Sequence, residues 1–318
     1  MAEGLLASFH RICIPLRKGD PMGPNDEHRE KRLIGIRGFI SQMPSLSTTA
    51  MKVAEVCNNP RTSPGDLNRI ISLDPVITGR VLKLVNSAYY GLPGQVTSLT
   101  RAIIMLGLNT VVNLAISMAV VEKVSVKNSS GVLSGDSFWT HSLCTGVVAK
   151  FLSGIRGIPP AGQEGFFVGG LLHDLGKVAL NECFPEEYRG VFESIKEVNR
   201  PLPDAETEVF GIDHCKVGDM IAEKWQLGPS LRDVLSQHHS PDEAEGESRD
   251  LVTLVSLADT YANALQMGSP EYRPTNESDL SLTFEKAGIN PNALHEYQGR
   301  VLEEIEKAKI FIQVSAGG

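Results

Sequence analysis

The chain lacks the positive charge that a nucleic-acid surface needs. Against 30 lysines and arginines stand 38 aspartates and glutamates, a net charge of −8 over 318 residues. No basic field favours DNA, so no DNA partner is expected. Cysteine is sparse: Cys13, Cys57, Cys144, Cys183 and Cys215 are odd in number and form no CxxC. Neither a disulfide framework nor a thiolate zinc site is indicated, and a reducing cytoplasm fits. The N-terminus mixes Arg11, Arg17, Lys18 and Arg29 with acids and has no long apolar core, so no signal peptide is expected. Strand-type alternation and internal repeats are both missing. One charge-free run, Ala102 to Val121, is long enough to span a bilayer. It contains Gly107, Asn109, Thr110, Asn113 and Ser117, and Gly107-Leu108-Asn109 reads as a helix end followed by a new start. Two consecutive core helices are expected there, and no membrane span.

What remains is helix, punctuated by proline and glycine. Residues 1–31 read as a loose arm. Helical pattern begins near Arg32 and is interrupted at Pro44. A second helix from Ser45-Leu46-Ser47 runs through Cys57. Thr62-Ser63-Pro64 and Asp74-Pro75 are both start signals, a capping side chain followed by proline in the first turn. Val76, Val81, Leu82, Leu84 and Val85 form an expected apolar stripe. Gly91-Leu92-Pro93-Gly94 is a loop, Ser98 caps the helix to Leu106, and a helix from Leu108 to about Lys123 closes the lobe. Residues 32–125 are thus one helical lobe. Residues 126–136 form a polar linker, and residues 137–267 a second helical lobe. Residues 268–318 are a loop and a last helix, Pro291 to Val314, with Leu302, Ile305 and Ile310 as expected core contacts. The predicted fold is all-α and two-lobed.

The chemistry concentrates in the second lobe. In Leu171-Leu172-His173-Asp174-Leu175-Gly176-Lys177-Val178 two ionisable side chains stand inside an apolar run. Burying charge is costly unless it is paired or metal-bound. By itself the pair reads equally well as metal ligands or as a packed histidine beside a capping aspartate. His141 shares a helical face with Phe138, Thr145, Val148 and Leu152. His214 shares one with Phe210, Val217, Ile221 and Trp225. His238 and His239 end the helix carrying Leu231, Val234 and Leu235, and Asp259 shares a face with Val255 and Ala262. Single histidines on apolar faces usually pack and hydrogen-bond. Five histidines and two aspartates, all expected to be buried, are harder to satisfy that way, and helical bundles build metal sites from facing helices. With no cysteine among the seven, iron or manganese is expected ahead of zinc, nickel or magnesium. Seven groups exceed what one ion needs, so one or two divalent ions are expected. A pair bridged by Asp174 would suit phosphoryl hydrolysis.

The order His141, His173-Asp174, Asp259 resembles the ligand set of the HD metal-dependent phosphohydrolase superfamily. His214 and His238-His239 resemble the further histidines of its binuclear branch, which includes the HD-GYP phosphodiesterases. The resemblance implies that Asp174 and Lys177 are the catalytic pair, Lys177 facing substrate phosphate or a metal-bound oxygen; otherwise Lys177 is a solvated lysine. The first lobe is similar to the HDOD signalling-output module, through Met43-Pro44-Ser45-Leu46, Asp74-Pro75-Val76-Ile77-Thr78, Asn86-Ser87-Ala88-Tyr89-Tyr90 and Ser98 to Gly107. Asn86 and Ser87 either line a groove between the lobes or cap a turn. Many HDOD proteins have lost much of the metal set that this chain retains. After His239 the chain reads Ser240-Pro241-Asp242-Glu243-Ala244 without Gly-Tyr-Pro, which argues against cyclic di-GMP hydrolysis. Ser137 stands where the trinuclear pattern has glutamate, which argues against a third metal. The resemblance implies a bacterial signalling protein whose metal-binding lobe acts through a nucleotide, phosphoester or protein partner. An active phosphohydrolase and a metal-free scaffold are the alternatives.

Overall fold

The computed structural model of the protein describes residues 26–57, 63–124, 133–198, 200–268, 281, 284–285 and 287–315. Every regular element among them is a helix. The expected arm before residue 26 and the loop at 269–280 lie outside the described residues.

In the first lobe, α1 (Asp26–Gln42) begins earlier than Arg32 and is followed by α2 (Thr48–Cys57), α3 (Pro64–Ile71) and α4 (Pro75–Val85). The start signals work as their chemistry requires. Ser63 and Asp66 form a reciprocal capping box. Asp74 Oδ1 accepts from the Val76 and Ile77 amides, both at 3.0 Å. Val76 itself is 56% exposed, because the buried stripe of α4 runs through Ile77, Val81, Leu84 and Val85 instead. Asn86 is a loop pin. Its amide donates to the Leu82 and Val96 carbonyls and accepts from the Val96 amide, so it fixes both ends of the turn carrying Gly91 and Gly94.

The uncharged run divides into α5 (Leu99–Leu106) and α6 (Leu108–Lys123), bent by 118°. Gly107 makes the corner at φ +90°, a conformation an L side chain rarely adopts. In α6, Thr110 to Val112 and Leu114 to Val121 are buried. From Thr110 on the run is charge-free because α6 is packed by α2, α4, α5 and the second lobe; in α5 Ile104 faces outward, 77% exposed. Among the described residues no single helix is long and apolar enough to cross a membrane.

The second lobe contains α7 (Gly135–Ile155), α8 (Pro160–Leu172), α9 (Leu175–Cys183), α10 (Pro185–Val198), α11 (Leu202–Phe210), α12 (His214–Lys224), α13 (Pro229–Gln237) and α14 (Arg249–Ala264). Helix α1 docks here, against α9, α11 and α12. Arg32 donates to the Val209 carbonyl at 2.6 Å and Trp225 to the Pro44 carbonyl at 3.1 Å. The last helix, α15 (Pro291–Ser315), bridges the lobes by lying on α4, α6 and α7. Its buried face is Val301, Ile305, Ala308 and Phe311; Leu302 is 41% exposed, one position off that stripe.

The lobes are joined through Tyr89 and Tyr90. Tyr90 donates to Glu164 Oε1 at 2.7 Å, and the Lys150 ammonium pairs with Glu164 Oε2 at 2.7 Å while lying over the Tyr89 ring. Tyr89 packs on Phe167, which packs on Phe311, so one aromatic chain crosses from first lobe to second lobe to last helix.

Candidate metal centre

Close helix crossings set the site. At Gly146 a Cβ would lie 2.6 Å from the Phe167 carbonyl oxygen, and at Gly170 one would lie 2.7 Å from the Gly146 Cα. Only glycines let α7 and α8 approach so far, and this brings His141 to His173, ring centroids 5.4 Å apart. At Gly176 a Cβ would lie 1.9 Å from the His214 carbonyl oxygen, so α9 and α12 touch backbone to backbone.

His173 and Asp174 occupy the turn between α8 and α9. The Asp174 side chain makes no capping bond, which removes the bland account of this pair. Instead its carboxylate stands between two groups of ligand atoms. On the Oδ2 side, His173 Nε2 is at 3.2 Å and His141 Nε2 at 3.6 Å. Asp259 Oδ1 completes that group, 2.9 Å from His141 Nε2 and 3.6 Å from His173 Nε2. On the Oδ1 side, His214 Nε2 is at 3.6 Å and His238 Nε2 at 3.5 Å, with 3.3 Å between the two nitrogens. His141, His173, Asp174, His214, His238 and Asp259 are all buried.

The tautomers follow from partners that can only accept. His173 Nδ1 donates to the Gly170 carbonyl at 2.7 Å, and His238 Nδ1 to the Val234 carbonyl at 3.0 Å. His214 Nδ1 faces Glu206 Oε2 at 2.6 Å. In their neutral forms all three rings then aim an Nε2 lone pair at aspartate oxygens or at one another. His173 Nε2 and Asp174 Oδ1 are buried with no hydrogen-bond partner. Acceptors facing acceptors in a buried site are repulsive unless a cation lies among them. Ligand atoms about 2.0–2.2 Å from a shared ion lie roughly 3.0–3.6 Å apart, from octahedral to tetrahedral geometry. Nearly every separation given above falls within that span. The residues therefore fit a pair of divalent ions with Asp174 between them.

Charge tells the same story. Burial alone would raise the Asp174 and Asp259 pKa values. His173 and Lys177 beside Asp174, and His141 and His173 beside Asp259, hold both well below the usual carboxylate range. Burial works against protonating His173, yet Asp174 and Asp259 raise its pKa to about 10. Two carboxylates thus draw a proton onto a histidine where a metal cation would otherwise balance them. His214 goes the other way: burial, with Lys177 adding to it, pushes its pKa well below the usual value and keeps the ring neutral.

Two expectations, the burial of His239 and the absence of sulfur, need correction, and the solvated alternative for Lys177 falls away. His239 is exposed: its ring lies against His238 and His214, at centroid distances of 4.4 and 4.9 Å, but at the open side of the cluster. Lys177 is not solvated; it is buried with its ammonium 2.7 Å from Asp174 Oδ2. Sulfur is present after all, since Cys215 Sγ lies 3.8 and 3.9 Å from the two His238 ring nitrogens. The near-equal distances place it beside the ring rather than on the Nε2 lone pair, and burial pushes the thiol pKa far up.

The sequence reading also missed Glu206 and Asn263. Asn263 donates to Asp259 Oδ1 at 2.9 Å. Glu206 was detectable: it shares the buried face of α11 with Leu202, Ala205 and Val209, an acid on an apolar stripe. Burial raises its pKa to about 8.

The cluster opens into a cleft of ≈ 580 Å³, of which Asp259, Cys215 and His239 form part of the lining. Asp204, Asp213 and Glu243 stand around it, and Lys216 is its one lysine or arginine among the described residues.

Comparison with known proteins agrees with this architecture. The chain resembles a Treponema pallidum (strain Nichols) protein described as uncharacterised, 25% identical over 251 residues. The match takes in 79% of this chain and 48% of that protein, so the chain spans about half its length. Among solved structures it is similar to an HDOD domain protein of unknown function from Geobacter sulfurreducens, 25% identical, with a TM-score of 0.69 over 89% of this chain and 98% of that one. The same fold occurs in a Shewanella amazonensis protein provisionally named a phosphohydrolase: 24% identity, TM-score 0.64, 86% of this chain and 97% of that one. The family model for the HDOD domain matches residues 43–241, from the Met43-Pro44 turn through the histidines that end α13. The chain belongs to the HDOD family.

Proposed function

We propose that this HDOD protein is a signal-transduction module whose second lobe binds two divalent metal ions. His141, His173, Asp174 and Asp259 hold one ion. His214, His238 and the other oxygen of Asp174 hold the second, with His239 at its open side. The observation that carries this reading is the convergence of buried histidine Nε2 atoms and carboxylate oxygens, two of which have no partner in the protein. His214 and His238 face each other Nε2 to Nε2 at 3.3 Å, an arrangement that in the neutral rings calls for a cation between them.

A second reading, phosphoester hydrolysis, is favoured by the opening of the cluster into the cleft. Divalent ions at such a site supply Lewis acidity and an activated water. The chain's own groups would do the rest. Asp174 fixes the spacing of the two positions, Lys177 holds Asp174 ionised, and the cleft walls admit a small phosphoester. The missing Gly-Tyr-Pro segment after His239 makes cyclic di-GMP a poor candidate.

Elemental analysis of protein purified without chelator tests the metal reading, with one to two transition-metal ions per chain expected. Metal no higher than in a His173→Ala control, even after reconstitution, refutes it. Turnover on a panel of phosphoesters then separates hydrolase from binding module.

A further inference from the structure

Glu206 is fully buried yet belongs to neither group of ligand atoms. Both of its oxygens are engaged. Oε1 accepts from the Tyr188 hydroxyl at 2.7 Å, and Oε2 accepts from the His214 backbone amide at 2.8 Å and from His214 Nδ1 at 2.6 Å. Burying a carboxylate is costly, and an apolar residue would fill this position of α11 more cheaply. The cost needs a return elsewhere. His173 and His238 anchor their Nδ1 on backbone carbonyls, and His141 Nδ1 is buried without a partner. Among the four buried histidines of the cluster, His214 is the one whose Nδ1 meets a carboxylate. A carboxylate on Nδ1–H makes the opposite nitrogen more basic and fixes the direction of its lone pair.

We propose that Glu206, braced by Tyr188, is the positioning residue of the second ion position, acting through His214 to orient and strengthen its Nε2 as a ligand. This rests on the two-ion reading. The two hydrogen bonds that His214 donates to Glu206, from amide and ring, tie ring rotation to the start of α12, where Asp213 caps the helix. Tyr188 lies on α10, so the brace runs from α10 through α11 to the ligand. Metal occupancy and the seating of these two helices are coupled by the same three hydrogen bonds.

The test uses the full chain, stripped with chelator and titrated with manganese(II), with free ion counted by electron paramagnetic resonance. Wild type should show two binding classes. Glu206→Gln keeps size and an acceptor oxygen but removes the charge. It should weaken one class about 10–100-fold and leave the other unchanged. Tyr188→Phe should weaken the same class to a smaller extent. Thermal unfolding of the stripped proteins is the second readout. Glu206→Gln should melt no lower than wild type, because glutamine fills the same buried space with an acceptor oxygen and no charge to desolvate, whereas a residue that merely packs would lose stability and affinity together. Wild-type binding at both classes in Glu206→Gln overturns the inference and leaves the two-ion reading standing. So does equal weakening of both classes with a lower melting temperature. A wild type that binds neither manganese nor zinc overturns the two-ion reading itself.

Discussion

Gly176→Ala should damage the centre without touching a ligand. A Cβ there would lie 1.9 Å from the His214 carbonyl oxygen, 2.7 Å from its carbon and 2.9 Å from the Gly218 amide nitrogen. These are backbone atoms and cannot swing aside. An ordinary carbon–oxygen contact is about 3.3 Å, so α9 and α12 must part by roughly 1.4 Å. The gap between Asp174 Oδ1 and His214 Nε2 is 3.6 Å. Parting of that size takes it to about 5 Å, more than one ion with bonds near 2.1 Å can span. Overpacking costs about 1–3 kcal/mol, against which the better helix propensity of alanine returns up to ~1 kcal/mol. The net is a loss of up to about 3 kcal/mol, which lowers the melting temperature by up to roughly 5 °C in a chain of this size, at about 1.5 °C per kcal/mol. Gly79→Ala is the control. Gly79 is an exposed residue inside α4, and nothing lies within 4 Å of an added Cβ. It should stabilise by about 0.5–1 kcal/mol. The assay is calorimetry with metal analysis on both variants. A Gly176→Ala protein with wild-type melting temperature and full metal content would refute the contact argument, and with it the placement of His214 against Asp174.

Other outcomes follow from the same geometry. His214→Ala should lose about one ion and keep the other, whereas His173→Ala should lose most binding, because it also removes the neighbour of Asp174; equal chelator-induced shifts in the melting temperature of wild type and both variants would make these histidines packing residues. Tyr90→Phe leaves Glu164 Oε1 without its donor and should cost about 1–3 kcal/mol in urea unfolding; no change would mean that the joint between the lobes is not held there. The pH dependence has a definite sign. In chelated protein the His173 pKa stands at about 10 against an ordinary 6.5. Its stabilisation is fully present below pH 6.5 and is lost as pH rises toward 10. Bound metal displaces that proton, so affinity should rise with pH and the loaded protein should lose this dependence; a chelated protein equally stable at pH 6.5 and 10 would contradict it.

Much of the fold was legible because its signals are local. Ser63, Asp74 and Ser98 cap their helices through their own side chains, and Gly107 turns the corner that divides the uncharged run. The docking of α1 was not legible. Its helix begins before Arg32, and it is held by distant bonds such as Arg32 to the Val209 carbonyl, 177 positions away, and Lys224 to the Ser41 carbonyl. No local signal encodes a bond of that kind. The misplaced contacts Val76 and Leu302 have a simpler cause. Apolar residues at adjacent positions compete for one stripe, and the phase is decided by the packing partner, so Ile77 and Val301 went inward instead.

The site was legible wherever a charged or polar side chain interrupted an apolar stripe, as at His141, His214 and Asp259. Glu206 interrupts the apolar stripe of α11 in the same way, but it touches neither ion position; its role lies in the bonds it accepts from the amide and ring of His214, 8 positions away, which no local pattern encodes. His239 shows the converse. It follows His238 in sequence, but α13 ends at Gln237, so consecutive side chains leave the helix on diverging paths. One enters the core and the other meets the cleft. Adjacent histidines therefore give one buried ligand atom and one exposed ring. The exposed ring stands beside the second position and not the first. Asp259 lines the same cleft, so both positions are reached from it. What sets them apart is the brace: a carboxylate, Glu206, stands behind His214 at the second position, whereas at the first His173 leans on a backbone carbonyl and His141 Nδ1 on nothing among the described residues.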